Sequence, residues 1–374
     1  MKTWLPRLRR ENARMTRERK HIVNQLPEIP YGIRPQVLLI GNGLNRPFGQ
    51  TKGKANTDGI LRAAWRETHD FMLPCRDAEP RHAFWDLTLP QQVVVATKDR
   101  VQTCMNTLAA AFQELAVPDE QAALIRKILD TGFDAILTTN YSLEFEKTVI
   151  PNYTPGKAYH RYRTTEKRKG TARQFGLYQC TELPYGGRPS LWHIHGTALR
   201  KDSLVMGQMY YGKLMAEAIA RANVVNRDFR AAQQAHRGFR PKSWVDFFLI
   251  GDVHILGFSL ELSETDLWWL LSYKRCAFRE QTGAEVYFYT ANEKSIAEEK
   301  RLLLDCYGVK VRRVDPPEGQ QGNQWPRCYH TGIPSLALLE QKRKDEAYVR
   351  FYKDTCGLIA KTMETRRQVG EKKT

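Results

Sequence analysis

The stretch AILTTNY at residues 135–141 gives the clearest indication of the fold, because a short apolar run ends abruptly on an amide-bearing side chain. An apolar run of this length, followed by polar residues, predicts a buried strand. In an open α/β sheet, the groups that handle a ligand lie just past the carboxyl ends of the strands. We therefore interpret residues 135–139 as a core strand and expect Asn140 to face a ligand.

Two other apolar runs end in a similar way. The run VLLI at residues 37–40 leads into the turn GNGLN at residues 41–45, and LWHI at residues 191–194 leads into His195 and Gly196. If these strands are parallel neighbours, their carboxyl ends meet at one edge of the sheet. The sequence therefore predicts a glycine turn, an asparagine and a histidine on a common rim.

Hydrophobic periodicity along the chain alternates between strands and helices. Helical patterns occupy residues 101–116 and 210–223, SETD at residues 263–266 indicates a helix start, and residues 333–362 predict a C-terminal helix. The strand candidates are residues 36–40, 135–139, 191–194, 253–257, 285–290 and 309–314. This alternation predicts an α/β fold: a Rossmann-like, doubly wound, mostly parallel sheet of about six strands, with helical insertions and a helical C-terminal appendage.

Composition divides the chain into three parts. Residues 1–34 form a basic N-terminal extension, residues 35–314 hold the α/β pattern, and residues 315–374 combine a linker with a helical segment. Within the middle part, residues 152–190 are rich in Lys, Arg, Tyr and Gly and show little periodicity. We interpret residues 152–190 as an insertion, either a loop or a small subdomain, that overhangs the sheet edge.

The bulk composition is that of a folded protein outside the membrane. The chain has 374 residues, of which 42% are hydrophobic and 10% aromatic, and no apolar run approaches the roughly eighteen residues of a membrane helix. The Arg-rich amino terminus lacks an apolar segment and a cleavage pattern, so we expect a cytoplasmic protein. The seven cysteines lack zinc-ribbon spacing, so we expect buried thiols and no metal: Cys75, Cys104, Cys180, Cys276, Cys306, Cys328 and Cys356.

The positive charge is unevenly distributed. Of a formal net charge of +17, residues 1–20 contribute +6, residues 157–173 contribute +6 and residues 357–374 contribute +3. A nucleic-acid-binding domain usually carries its charge on a folded face with interleaved aromatic residues. Two interpretations stay open: solvated basic segments that aid solubility, and contact with an acidic partner or nucleic acid.

Each candidate site residue also has an ordinary structural explanation. The pair Gly41 and Gly43 after a strand suits a phosphate-binding turn, but a glycine pair is also common in plain turns, and the third glycine of the dinucleotide fingerprint is missing. His193 competes with His195 for a catalytic role, and only His195 lies at the predicted strand end beside a glycine. We expect His254, inside a strand, to be structural.

The order of these motifs resembles the sirtuin-like superfamily of NAD-consuming enzymes. A Gly-x-Gly strand turn is followed by TTNY, then by His-Gly, then by GFSL at residues 257–260, and last by a strand ending near Asn292. The resemblance covers roughly residues 36 to 314 and depends on the order of the motifs rather than on any single one. It implies that residues 35–314 form an NAD-binding catalytic domain.

The resemblance also implies a role for each matching residue. Asn140 would hold the nicotinamide ribose and orient a water molecule, and His195 would be the general base. The residues implied to bind NAD are Gly41, Asn42, Gly43, Asn45, Thr139, Tyr141, Gly257, Ser259 and Asn292. NAD would be the substrate, and no metal is implied.

Departures from the family pattern point to one branch of it. No cysteine lies between Cys180 and Cys276, so the four-cysteine zinc module of the deacylating members is missing, and Ser142 stands where the family has an aspartate. A gap of 54 residues separates Asn140 from His195. This pattern resembles the bacterial antiviral defence branch, whose members hydrolyse NAD to ADP-ribose and nicotinamide when infection is sensed.

The expected partners follow from that interpretation. An NAD hydrolase of this kind has to be held inactive, so we expect a homo-oligomer, a separate activating protein encoded nearby, or both, and no membrane. Two other functions stay open: an NAD-dependent protein deacylase, and a catalytically silent subunit that binds nucleotides or nucleic acid through its basic segments. The acidic pair Glu144 and Glu146 is expected to lie in the first turn of a helix rather than to form a catalytic dyad.

Overall fold

The computed structural model describes residues 26–48, 87–88, 90–91, 93–94, 101–151, 153, 162–164, 175–187, 189–293, 296–314 and 334–371. The N-terminal extension up to residue 25, most of the basic segment 157–173 and the linker 315–333 lie outside these residues. The expectations about the basic N-terminal segment and about a nucleic-acid-binding loop therefore fall outside the described part of the chain.

An eight-stranded sheet forms the centre of the fold. Its strands, in chain order, are β1 (Gln36–Ile40), β2 (Ala135–Thr138), β3 (Tyr162–Thr164), β4 (Gln179–Glu182), β5 (Ser190–His193), β6 (Asp252–Leu256), β7 (Val286–Thr290) and β8 (Val309–Arg313). The spatial order is β3-β4-β5-β2-β1-β6-β7-β8. The pairs from β5 to β8 are parallel, whereas β3 and β4 pair antiparallel at one edge.

The six parallel strands confirm the predicted fold class. Their order is that of the doubly wound dinucleotide-binding sheet, and each predicted strand lies within one residue of an observed one. The two additional strands, β3 and β4, come from the insertion 152–190. They extend the sheet beyond β5, so the insertion continues the sheet edge in addition to forming loops.

Helices cover both faces of the sheet. They are α1 (Val101–Glu114), α2 (Asp119–Leu129), α3 (Glu144–Val149), α4 (Phe175–Tyr178), α5 (Gln208–Gln234), α6 (Trp244–Ile250), α7 (Thr265–Ala277), α8 (Arg279–Thr282), α9 (Glu298–Cys306) and α10 (Pro334–Glu371). Short 3-10 helices occupy Asn42–Phe48 and Lys201–Ser203. Helix α5 is longer than the pattern over 210–223 predicted, because Val225 and Phe229 continue its buried face.

The two largest apolar layers of the core lie one on each face of the sheet. Val37 and Leu39 of β1 face α5, α6 and α7, whereas Leu38 and Ile40 face α2 and α10. This alternation is the period of two that a strand requires. Because β1 and its neighbours are buried on both faces, their sequences are continuous apolar runs.

The predicted C-terminal helix is present as α10 and packs into the second layer. Tyr352, Cys356 and Ile359 are fully buried and pack with Leu44 of the 3-10 helix and with α2. Among the described residues, no helix combines the length and the apolar content that crossing a bilayer requires.

The expectation of buried thiols is only partly correct. Cys180 and Cys356 are buried, but Cys276 and Cys306 are exposed, and none of these four forms a disulfide. Cys306 is the last residue of α9 and Cys276 the second last of α7, and both side chains face solvent.

Candidate functional site

The candidate residues lie along one edge of the sheet, at the carboxyl ends of five adjacent parallel strands. In spatial order, His195 follows β5, Asn140 follows β2, Gly41 follows β1, Gly257 follows β6 and Asn292 follows β7. Neighbouring strands are about 4.8 Å apart, so the four spacings from β5 to β7 cover roughly 19 Å. An edge of this length suits an extended ligand with two separate ends.

The crevice of this fold lies where the connections diverge, between β1 and β6. There the amide of Gly43 donates to the carbonyl of Gly257 at 2.9 Å. A side chain on Gly43 would overlap the backbone of Gly257, and one on Gly41 would meet the ring of Phe258. These glycines therefore permit close packing of the two loops. The Gly43 amide, expected to be free for a phosphate, is used within the protein.

Asn42 and Asn45 hold the loop after β1 against α2. The side-chain Nδ2 of Asn45 donates to Asn42 Oδ1 at 3.2 Å, and Gln121 Nε2 donates to Asn45 Oδ1 at 2.7 Å. Asn45 is buried, whereas Asn42 is partly exposed. Asn45 therefore orients the loop from beneath, and Asn42 is the one of the two asparagines that solvent reaches.

The backbone of Asn140 is held by the strand that precedes it and by His193. Its amide donates to Thr138 Oγ1 at 3.1 Å, and its carbonyl accepts from His193 Nδ1 at 2.8 Å. The amide of Thr139 donates to the carbonyl of Ile40 at 3.1 Å, which extends the pairing of β2 with β1 by one residue. Asn140 is therefore held at a defined position in the sheet edge.

The side chain of Asn140 is held as tightly as its backbone. Its Nδ2 donates to Glu144 Oε1 at 2.6 Å and to the carbonyl of Gly41 at 3.3 Å. Burial raises the pKa of the Glu144 carboxyl, and hydrogen bonds from Ser142 and Asn140 counteract part of that effect.

His193 is engaged at both ring nitrogens. Nδ1 faces the Asn140 carbonyl, which can only accept, and Nε2 lies 2.9 Å from Glu146 Oε1. Burial alone would lower the pKa of His193, but the Glu146 carboxylate raises it above its ordinary value. Both ring nitrogens of His193 are therefore used in contacts that support Asn140, and neither is free for proton transfer.

His195 is engaged at one nitrogen. Its Nε2 donates to Asp266 Oδ2 at 3.1 Å and lies 3.7 Å from Glu264 Oε2, and its ring packs edge-on against Tyr211 with the centroids 5.2 Å apart. Burial alone would lower the pKa of His195, but Asp266 and then Glu264 raise it. When the ring is neutral, the proton on Nε2 leaves the lone pair on Nδ1, so the pair has the arrangement of a base oriented by a carboxylate.

A small hollow lies beside these residues and is bordered by Tyr141, Tyr211 and Val205. Tyr141 is adjacent to Asn140 in the chain, and its hydroxyl donates to the carbonyl of Val205 at 2.8 Å. Tyr211 also packs on His195, so the hollow lies next to that residue. Its walls are mainly apolar, and neither Asn140 nor His195 is among the described residues that line it.

The remaining predicted residues lie toward the other end of the edge. Ser259 is exposed, and its carbonyl accepts a hydrogen bond from Lys300 Nζ. The amide of Asn292 donates to Thr290 Oγ1 at 3.1 Å, which closes the turn after β7. Ser259 and Asn292 therefore share the edge with Asn140 and His195 but lie on the β6 and β7 side of the crevice.

One group of side chains has the composition of a cation site. His195, Glu264 and Asp266 bring potential ligand atoms within 4.8 Å of one another. Asp266 Oδ1 and Glu264 Oε2 are buried without a hydrogen-bond partner. Imidazole with two carboxylates can hold a divalent metal, but only if the metal replaces the proton on Nε2. Proton and metal therefore compete for the same nitrogen.

Four carboxylates, Glu144, Glu146, Glu264 and Asp266, lie against the candidate residues, a role that was not predicted for any of them. Glu144 and Glu146 were predicted to lie in the first turn of a helix, and they do, but both are buried and bond to Asn140 and His193. Asp266 lies in the first turn of α7, where the sequence suggested only a helix start. Their positions in the sequence could have indicated this role. Glu144 and Glu146 follow Asn140, and Glu264 and Asp266 follow Gly257, by four to nine residues.

His254 has the structural role that was expected. It lies inside β6, where Nδ1 bonds to the Tyr289 hydroxyl at 2.9 Å and Nε2 to Gln36 Oε1 at 3.2 Å. Comparison with known proteins adds no assignment, since no protein-family model and no curated protein sequence matches the chain.

Proposed function

We propose that the protein is an NAD glycohydrolase that cleaves NAD to ADP-ribose and nicotinamide. The observation that supports this most strongly is the pairing of Asn140 with Glu144 and of His195 with Asp266, at the ends of the adjacent strands β2 and β5. Each functional side chain is oriented by a buried carboxylate, an arrangement typical of catalytic sites.

The chemistry requires few groups from the protein. Nicotinamide leaves readily because its departure removes a positive charge from the ring nitrogen, and the sugar cation that develops needs a positioned water molecule. In this proposal Asn140 positions that water or the neighbouring ribose hydroxyl, and neutral His195 accepts the proton at Nδ1. General-base catalysis contributes about a hundred- to ten-thousand-fold to the rate.

In this proposal the nicotinamide ring enters between Tyr141 and Tyr211, and the pyrophosphate crosses the edge near Gly41 and Gly257. Both places are closely packed, so the substrate requires them to open. Asn140 is 6% exposed and His195 2% exposed. An enzyme with such a covered site requires opening before turnover, which agrees with regulated activity.

The proposal extends to a regulated effector of a bacterial antiviral defence system that depletes NAD when activated. That role rests on the resemblance in motif order. In this proposal, formation of a homo-oligomer or binding of an activating protein encoded nearby opens the covered site. Binding of nucleic acid to the basic segments is a further way in which an infection signal would reach the site.

The test is to incubate the purified protein with NAD, alone and with the products of neighbouring genes, and to measure released nicotinamide. We expect Asn140→Ala and His195→Ala each to lower the rate about a hundredfold or more. Asn106→Ala and His236→Ala remove the same chemical groups from exposed positions and should leave it unchanged. Absence of nicotinamide under every condition refutes the proposal. Salt-sensitive binding to a duplex, unaffected by the site variants, would favour the nucleic-acid-binding alternative.

A further inference from the structure

The amide orientation of Asn140 is determined by its surroundings. A side-chain amide has two N–H donors on Nδ2 and one carbonyl oxygen, Oδ1. Nδ2 faces two acceptors, Glu144 Oε1 at 2.6 Å and the Gly41 carbonyl at 3.3 Å. If the amide were reversed, Oδ1 would face the Gly41 carbonyl, which cannot donate, and a carboxyl that can donate only when it is protonated. Nδ2 is therefore used within the protein, and Oδ1 is the atom available to a ligand.

Glu144 is the stronger of the two partners. Its hydrogen bond to Asn140 is shorter, and it lies inside the protein, where such a bond is less screened than in water. Its second oxygen, Oε2, is buried without a hydrogen-bond partner. A buried carboxyl is costly to keep, unlike a leucine of similar size, even when Ser142 and Asn140 donate to it. This cost indicates that the contact with Asn140 has a function beyond stability.

We propose that Glu144 is a positioning residue that commits Asn140 to act as a hydrogen-bond acceptor toward the substrate. The group that Asn140 contacts must then be a donor, such as the nucleophilic water or a ribose hydroxyl, and cannot be a phosphate or carbonyl oxygen. This inference rests on the proposed function for its effect on the rate. The orientation of the amide itself is independent of that function.

The kinetic test compares two substitutions of nearly equal size. Glu144→Gln retains an oxygen that accepts from Asn140 Nδ2, whereas Glu144→Leu removes it. Loss of a hydrogen bond to a charged or buried acceptor corresponds to about a 10- to 100-fold effect, so we expect Glu144→Leu to lower kcat by that factor. KM for NAD should change by no more than about threefold, and Glu144→Gln should remain close to the unaltered protein. Thr148→Val is the matched control, because it changes the same helix, where the Thr148 hydroxyl bonds only to the Glu144 backbone carbonyl.

A spectroscopic test does not need turnover. The side-chain amide protons of Asn140, identified by the loss of their NMR signals in Asn140→Ala, should lie at shifts typical of strong hydrogen bonding. They should remain so in Glu144→Gln and Thr148→Val, and move toward the free-amide position in Glu144→Leu. Unchanged amide shifts in Glu144→Leu overturn the inference, as does an unchanged kcat in a folded Glu144→Leu protein. If the unaltered protein fails to cleave NAD while the amide shifts respond as expected, the proposed function fails and the orientation of Asn140 stands.

Discussion

Asp266→Asn separates the two contributions that this carboxylate makes to His195. The charge of Asp266 raises the pKa of His195, and its oxygen accepts the Nε2 proton at 3.1 Å. Asparagine removes the charge and can present its NH₂ group to Nε2 instead, which would place the ring proton on Nδ1. The base would then carry its proton on the nitrogen that has to accept one.

The size of the effect follows from the geometry. A buried hydrogen bond to a charged group contributes about 1.5–3 kcal/mol, and each 1.4 kcal/mol is tenfold, so kcat should fall by roughly 10- to 150-fold. The pH profile should also change. The active form is the neutral ring, so activity rises as the pH increases through the pKa of His195. Without Asp266 that pKa is lower, and the acid limb should move to lower pH.

The assay is nicotinamide release measured as kcat from pH 5.5 to 9. Asp305→Asn is the control, since Asp305 is an exposed carboxylate at the end of α9, away from the sheet edge. The expected result is a lower plateau together with a displaced acid limb. An acid limb that stays in place while kcat falls would mean that Asp266 does not set the protonation of His195, and the reasoning from the pair would be wrong.

Two other predictions concern the packing of the edge and its metal response. Gly257 has a left-handed backbone (φ 62°), and an added side chain would meet the hydroxyl of Tyr352, so Gly257→Ala should destabilise the protein by about 1–3 kcal/mol in urea unfolding. Tyr352→Phe should recover part of that loss; no recovery would contradict the contact of α10 with this loop. Zn²⁺ should inhibit NAD cleavage by displacing the Nε2 proton of His195 between Glu264 and Asp266, whereas EDTA should leave activity unchanged. Loss of activity in EDTA, restored by a metal, would show that the site uses a cation instead of a proton.

The strands of the parallel sheet were accessible from the sequence. Strands such as β1 and β2 are buried on both faces, so their residues form continuous apolar runs that end sharply. Burial on both faces is typical of parallel strands, whose carboxyl ends meet at one edge of the sheet. Asn140 and His195 were chosen as candidates because each lies at such a strand end. β3 and β4 were not found, because short edge strands within a polar, basic segment lack an apolar pattern.

The six parallel strands, their common edge and the residue types at the strand ends could be predicted from the chain, because burial and strand period are expressed in neighbouring residues. Which groups orient those residues depends on how the elements pack together. Glu144 is close to Asn140 in the chain, yet its burial depends on the elements packed around it, and Asp266 reaches His195 across 71 positions. A hydrogen bond between distant segments leaves no periodic trace in a single sequence. The direction in which Asn140 presents its amide, and the nitrogen that His195 leaves free, therefore follow from the fold alone.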